Sequence, residues 1–498
     1  VNFVNLATAQ SFKRAKEIGV RKVVGARRGQ LVRQHLGEAA LMTALAAALA
    51  LLLVNFALPF YGRLTGSAVS IGDVLTPSFV GLALALLAAL SLLAGLYPAV
   101  FMSSFAPVAA ISGGRDPRGS AALLRKGLVV FQFVVSVFLV FSTITMARQI
   151  AFFHRADLGF DKDNLVAIKL YGDFQEKLGG GGATALREEI RRHSGVTGVA
   201  LTSQLFGTNF SNERLTPVGT QDRNALPMLR VLRVDEDFIR TAGLTLVKGR
   251  DFQGGPDRGP EYIVSESTAA ILGLDEPLGV ECLSDLHRGQ HPIVGVIKDF
   301  HFASLHNPIE PLALEYMPSM SGYLLVKAQA GRTPEVLEFV EAKVREVAPS
   351  FLFSYEFVDE VFGRNYRAED KSYALFKVFS AVALFVACLG LFGLAVYAAE
   401  SRIKEIGVRK TLGASVAAIC AQLTRPFLAW VLVANAIALP AAYFAMQKWL
   451  RNFAFHAEIR AWTFAASALL VFLFAGLTVG YLALRSAREN PVRSLRYE

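Results

Sequence analysis

Hydrophobic and polar positions alternate on two scales along this chain. Six stretches, approximately 35–58, 78–101, 127–147, 373–398, 422–445 and 462–484, stay apolar over the ~20 residues that a helix needs to cross a bilayer. Between the third and fourth lies a polar block, 148–372, far too long for a loop, and it reads as a folded domain. Inside that block the period shortens. β-like runs at Leu165–Leu170, Tyr262–Val264, Ile293–Ile297 and Tyr323–Val326 alternate with helical stretches at Ala183–His193, Glu236–Ala242 and Pro334–Val347. Gly179–Gly182 reads as a flexible joint. The predicted fold is a multi-pass α-helical membrane protein with six full spans and one α+β domain outside the membrane.

Composition narrows the class. The chain has 498 residues, 53% hydrophobic and 18% charged, against roughly 25% charged for a soluble domain. That balance excludes disorder, a collagen-like fibre and an ordinary soluble enzyme. Three cysteines, Cys282, Cys388 and Cys420, are too few for a small disulfide scaffold. Val1–Gln10 is neither a signal peptide nor a full span and reads as the last turns of a helix, so an N-terminally truncated fragment is expected.

The net charge of +10 would fit nucleic acid if it were spread evenly. It is not. Segment 11–33 carries eight basic residues, and 102–126, 400–421 and 485–498 carry four each, whereas loops 59–77 and 446–461 hold only Arg63, Lys448, Arg451 and Arg460. Every second loop is basic, as the positive-inside rule requires of alternating crossings. The basic segments are therefore expected to be cytoplasmic, the C-terminus with them, and 148–372 extracytoplasmic. The outer block alone has 25 basic and 32 acidic residues, a net of −7, which leaves +17 for the rest of the chain. Positive charge gathers where anionic headgroups or an acidic cytoplasmic partner would meet it, so membrane lipids are expected partners and nucleic acid is not.

The most informative feature is an internal repeat. Arg14-Ala15-Lys16-Glu17-Ile18-Gly19-Val20-Arg21-Lys22-Val23-Val24-Gly25-Ala26 recurs as Arg402-Ile403-Lys404-Glu405-Ile406-Gly407-Val408-Arg409-Lys410-Thr411-Leu412-Gly413-Ala414, with ten of thirteen positions identical at an offset of 388. Each copy precedes a hydrophobic helix pair, and each pair is followed by a Pro-Val step, Pro107-Val108 and Pro491-Val492. The motif makes sense as an amphipathic helix along the membrane's inner face. Phe12, Val20 and Val23 fall on one side, opposite Arg14, Arg21 and Lys22, while Lys16 falls on the apolar side and has to snorkel. Glu17 with Arg21, and Glu405 with Arg409, are spaced for an intrahelical pair. Gly25 and Gly413 suit a helix stop. Juxtamembrane charge alone explains basic residues but not identical Glu-Ile-Gly-Val-Arg-Lys spacing, so a specific docking role is expected.

With these segments in view, the sequence resembles the FtsX-like and MacB-like permeases of ABC transporters in their doubled form. The Glu-Ile-Gly-Val-Arg-Lys-x-x-Gly-Ala segments are similar to that family's signature, and Asn490-Pro491-Val492-Arg493-Ser494-Leu495-Arg496 to its C-terminal tail. Val234–Phe238, Leu246–Phe252 and Val294–Phe302 resemble its periplasmic core domain. The resemblance implies a particular division of the chain. Residues 1–34 close a span and form a cytoplasmic coupling segment, 35–101 a transmembrane pair and 102–126 a cytoplasmic linker. Residues 127–147 form a span, 148–372 the MacB-like periplasmic core domain and 373–398 a further span. A second coupling segment at 399–421, a second pair at 422–484 and a cytoplasmic tail at 485–498 complete it.

The resemblance also implies mechanotransmission in a bacterial inner membrane. A separate cytoplasmic ABC ATPase dimer would engage the coupling residues Arg14, Lys16, Glu17, Ile18, Gly19, Arg21 and Lys22 and their counterparts Arg402, Lys404, Glu405, Ile406, Gly407, Arg409 and Lys410. Its closure would then move the periplasmic domain. Efflux of peptides or amphiphilic compounds is the favoured task, with lipoprotein release, regulation of an envelope hydrolase, or ligand sensing without ATP-driven work as alternatives. A periplasmic adaptor or outer-membrane partner is a further candidate.

No catalytic constellation stands out. There is no Gly-x-x-x-x-Gly-Lys-Ser/Thr, and no cofactor is expected, so ATPase activity is assigned to a partner chain. Asp299, His301 and His306 lack a usual zinc spacing, and a loop after a strand accounts for them. Glu266 reads as surface charge. Cys282 is the only cysteine expected on the oxidising side, with no intramolecular partner. Phe131, Phe133, Phe138 and Phe141 are expected to face lipid or neighbouring helices, and Gly390 and Gly393 to permit close helix contact.

Overall fold

Within hydrocarbon, a helix is the one local structure that satisfies its own N–H and C=O groups, so the apolar runs become helices. The computed structural model describes residues 2, 5, 27–66, 69–103, 118–170, 173–255, 259–285, 289–320, 322–349 and 351–488. Its longer helices are α1 (Arg28–Thr65), α2 (Pro77–Ser103), α3 (Arg118–Arg155), α4 (Asp173–Arg191) and α5 (Thr333–Val347). They continue with α6 (Arg367–Ser401), α7 (Ile403–Thr411), α8 (Val416–Leu450) and α9 (Ala461–Arg488). The chain divides into a helical unit, Val1–Gln149 with Glu369–Trp449 and Glu458–Glu498, and a sheet unit, Ile150–Ala368 with Leu450–Ala457.

Five helical stretches among the described residues are long and apolar enough to cross a membrane: Val32–Arg63, Arg125–Arg155, Val358–Ser401, Val416–Leu450 and Ala461–Arg488. Six spans were expected. The remaining one falls in α2, whose apolar stretch among the described residues, Pro77–Leu92, is shorter than the other five.

In the helical unit, α3, α6, α8 and α9 share one core. Phe133 and Val137, Leu384 and Leu391, Phe427 and Val431, and Val471 and Val479 meet there, with Ala387, Ala434, Ala438 and Ala475 between them. Small residues let backbones approach where lipid offers no hydrophobic drive. Hydrogen bonds add to this: Thr143 Oγ1 and Ser380 Oγ lie 2.7 Å apart, joining α3 to α6. The phenylalanines of α3 divide, since Phe133 and Phe141 are buried and Phe131 is exposed. α1 packs along α2, and the two come close at Gly95, where a Cβ would lie within 3.1 Å of Ala39. Two prolines, Pro426 and Pro440, lie inside α8.

The sheet unit is a mixed sheet. Its first six strands are β1 (Leu165–Lys169), β2 (Val196–Thr202), β3 (Ser211–Glu213), β4 (Leu215–Pro217), β5 (Leu229–Val234) and β6 (Leu246–Gly249). Its last six are β7 (Tyr262–Ser265), β8 (Glu281–Ser284), β9 (Gln290–Ile297), β10 (Leu312–Tyr316), β11 (Tyr323–Ala328) and β12 (Tyr355–Phe357). The order is β12-β1-β11-β2-β5-β10-β7-β9-β8-β4, with β3 on β5 and β6 on β9. Pairs β5–β10 and β7–β9 are parallel and the others antiparallel. α5 presents Val336, Val340 and Val344 at four-residue spacing, and together with Leu186 and Ile190 of α4 they cover β1, β2 and β11.

Gly179–Gly182 is not the expected joint: it lies inside continuous α4. Each glycine costs a helix about 1 kcal/mol relative to alanine. The burial of Leu186 and Ile190 in the following turns offsets that cost.

A second core under β5, β7, β9 and β10 holds Leu229, Val231, Tyr262, Val264, Ile293 and Ala313, with Cys282 fully buried among them. Two buried ion-pair systems tie the sheet together. Arg187 of α4 reaches Asp235 at 2.7 Å and Glu236 at 2.8 Å, and Asp235 also accepts from the Leu201 N–H at 2.8 Å. Burial pushes the Asp235 carboxyl up to about 7, against the pull of the Arg187 guanidinium. Arg233 pairs with Glu315 at 3.0 Å and with Glu213, while Tyr262 donates its hydroxyl to Glu315 at 3.0 Å.

The short segment Leu450–Ala457, between α8 and α9, belongs to the sheet unit. Phe453 is buried against Phe153, at 5.5 Å between ring centroids, and against His306 at 4.5 Å. The Ala454 N–H donates to the His306 carbonyl at 3.1 Å, and the Phe455 ring meets His301 edge-on at 4.4 Å. Both histidines are thus packed on aromatic rings, while Asp299 Oδ1 accepts from the Ser267 N–H at 3.0 Å. Burial lowers the His301 pKa.

Arg187→Ala would leave Asp235 buried beside an empty site. The expected loss is about 3–5 kcal/mol of sheet-unit stability, read by chemical unfolding of the detergent-solubilised chain, with Arg187→Lys recovering part of it. An unchanged unfolding midpoint would contradict the assignment. Burial pushes the Cys282 thiol up to about 12. In a variant retaining only that cysteine, maleimide at pH 8 is expected to label the unfolded protein and not the native one, as followed by mass shift.

Candidate functional site

The turn after α6 is short. Arg402 occupies the N-terminal cap of α7, and its carbonyl accepts from the Ile406 N–H at 2.9 Å. At the other end the Gly413 N–H donates to the Lys410 carbonyl at 3.1 Å, and the Ala414 N–H to the Arg409 carbonyl at 2.9 Å. Gly413 has φ +89°, a left-handed conformation that glycine adopts without strain. The helix stop read from the repeat is therefore present in this copy.

α7 has an anchored side and an exposed side. Ile406 packs against Ile419 and Leu423 of α8 and Ala483 and Ala487 of α9. Gly407 is buried. Lys410 Nζ donates to the Ala487 carbonyl at 2.8 Å, placing a cation at the C-terminal end of α9, where the helix dipole favours it. On the exposed side, Arg409 Nη2 pairs with Glu405 Oε1 at 2.8 Å, the i,i+4 pair expected from spacing. Gln422 of α8 closes a triangle: its Oε1 accepts from Arg409 Nη1 at 2.5 Å, and its Nε2 donates to Glu405 at 3.2 Å. A cavity of about 460 Å³ opens beside this helix between Phe392, Glu400, Ile403 and Arg485.

The candidate residues of the second copy thus take different positions. Glu405 and Arg409 share the exposed triangle, Arg402 is exposed at the cap, and Ile406, Gly407 and Lys410 face the ends of α8 and α9. Lys404 lies within α7. The first copy, Arg14, Lys16, Glu17, Ile18, Gly19, Arg21 and Lys22, lies outside the described residues, as does Gly25. Val408, the counterpart of Val20, is 47% exposed and Leu412 81% exposed, so this copy offers two apolar side chains beside the Glu405–Arg409 pair. Gln422, Val408 and Leu412 were not among the sequence candidates. A signal for the first existed, because at the repeat offset Gln422 stands opposite Gln34.

The FtsX-like permease C-terminal family matches this chain twice, at residues 1–107 and 377–491. The macrolide export ATP-binding/permease protein MacB of Bartonella quintana (strain Toulouse) is 25% identical over 200 residues, covering 37% of this chain and 30% of that protein. The protein of the same name from Bartonella henselae is 26% identical over 197 residues, covering 36% and 29%. The matched part therefore spans about 30% of these relatives' length. Among solved structures, the periplasmic region of MacB from Actinobacillus actinomycetemcomitans aligns with 41% of this chain and 93% of its own, at 14% identity and a TM-score of 0.30. A domain of a putative permease from Porphyromonas gingivalis aligns with 39% and 90%, at 22% identity and a TM-score of 0.28. Both of the chain's family matches contain the repeated Glu-Ile-Gly-Val-Arg-Lys segment, one at Glu17–Lys22 and the other at Glu405–Lys410. Two parts of the chain, 1–107 and 377–491, match the FtsX-like permease C-terminal family, and the chain is similar to permeases of that type.

Proposed function

We propose that this chain is the membrane subunit of an ABC transporter of the mechanotransmission type. A separate cytoplasmic ATPase dimer pushes on α7 and on its first-copy counterpart around Arg14–Lys22, and the push is relayed through the spanning helices to the sheet unit on the periplasmic side of an inner membrane. The observation that carries this reading is the two-sided build of α7. Ile406 and Lys410 fasten it to the ends of α8 and α9, while Glu405 and Arg409 stand outward and are braced by Gln422. A helix held this way moves with its neighbours, so force applied to its exposed side reaches α8 and α9 directly. Charge on that side supplies specificity, and Val408 and Leu412 supply apolar area for a partner groove.

The proposed task is efflux of peptides or amphiphilic compounds, which relatives named for macrolide export support, with a periplasmic adaptor or outer-membrane partner engaging the sheet unit. The basic segments support a C-terminus on the ATPase side.

Arg409→Glu would set two carboxylates one turn apart on the exposed side. Membrane insertion is expected to persist while ATPase co-purification and permease-stimulated ATP hydrolysis fall roughly tenfold, the effect of losing about 1.4 kcal/mol at an interface. Full stimulation in this variant and in Arg21→Glu would refute the coupling role.

A further inference from the structure

The internal repeat runs further than its basic segments. At the same offset of 388, Leu6 and Ala7 stand opposite Leu394 and Ala395, and Asn2 and Asn5 stand opposite Gly390 and Gly393. One of these equivalent pairs is in direct contact. Asn2 Nδ2 donates to the Val386 carbonyl of α6 at 2.7 Å, one turn before Gly390. A Cβ added to Gly390 would come within 2.1 Å of Asn2 Oδ1 and 2.6 Å of its Cγ. Gly390 is buried, so any side chain there would displace the amide. Asn5 is 1% exposed, and its amide has no hydrogen-bond partner among the described residues.

A position that touches its own counterpart is informative about symmetry. In a two-fold arrangement residue i meets j while j meets i, and only a position beside the axis meets its equivalent. A head-to-tail arrangement would set Asn2 against some other part of the second module. The chemistry of the pair adds a second point. Glycine facing glycine would leave empty the space that the amide fills. Asparagine facing asparagine would press two amides into the room of one, and the second would lack a partner in an apolar surrounding. Only the mixed pair fills the space and gives Nδ2 a carbonyl.

We propose that the Asn2–Gly390 contact lies beside a pseudo-two-fold axis relating the two permease modules of one chain, and that Asn2 against Gly390 selects pairing of modules within a chain over pairing between two copies. The asymmetry works as partner choice: each like-with-like combination carries a defect that the mixed one lacks. This stands on the repeat and the contact and holds whether or not an ATPase drives the protein.

The test uses the full chain in membrane vesicles, with Cys282, Cys388 and Cys420 replaced by alanine and a protease site inserted at Gly113-Gly114. In Asn2→Cys/Gly390→Cys, oxidation followed by cleavage is expected to leave the two fragments joined until a reductant is added. In Asn2→Ala/Gly390→Cys, where the new side chain has room, no disulfide-linked dimer is expected. Fragments that separate under oxidising conditions, or dimers formed by the second variant, would overturn the proposal. A swap gives the second readout. Gly390→Asn alone is expected to reduce membrane-inserted protein roughly threefold, and Asn2→Gly/Gly390→Asn to restore it. Failure of the swap to restore it would reduce the contact to ordinary packing and sink the selectivity claim.

Discussion

Hydrocarbon cannot hydrogen-bond a peptide group, and that constraint organises the helical unit. Helices are the permitted elements, and what distinguishes one helix pair from another is the set of small and polar residues on their facing sides. Thr143 with Ser380, and Gly95 against Ala39, are such points: each allows a close approach or gives a polar atom its partner where water is absent. The sheet unit obeys a different constraint. There, among the described residues, charge is buried in networks, as with Arg187, Asp235 and Glu236, or Arg233, Glu213 and Glu315, because a lone buried ion is far costlier than a paired one.

The positions of the spanning helices were legible in the sequence because hydropathy reports directly on the solvent a segment can tolerate. Their lengths were less so. The third apolar run was read as 127–147, yet α3 extends from Arg118 to Arg155, since the helix continues through polar flanks that hydropathy discounts. Strand existence was also legible from β-branched runs, but strand order was not. β5 pairs in parallel with β10, whose residues lie some 80 positions later, and nothing local to Leu229–Val234 encodes that partner. Gly179–Gly182 misled for a related reason: intrinsic flexibility is a local property, and tertiary burial of Leu186 and Ile190 outweighed it.

The candidate site shows the same division. The Glu405–Arg409 pair was readable from spacing, because helix geometry alone brings i and i+4 together. Its third member, Gln422, sits on another helix, and only the longer repeat hinted at it. Val408, the counterpart of Val20, is exposed in the second copy. In the second copy Ile406 and Gly407 face inward and Val408 outward, set by where α8 and α9 end rather than by helix periodicity alone.

One helix contributes residues to both units. Near its start, α8 holds Gln422 against Arg409 and Glu405, and its last residue, Leu450, already belongs to the sheet unit. At 1.5 Å per residue, a helix of this length reaches about 50 Å, and its backbone runs on without a break from Gln422 to Leu450. Pro426 and Pro440 each remove an N–H from its hydrogen-bond ladder. The compliance of that rod is therefore concentrated at two places, around Pro426 and Pro440.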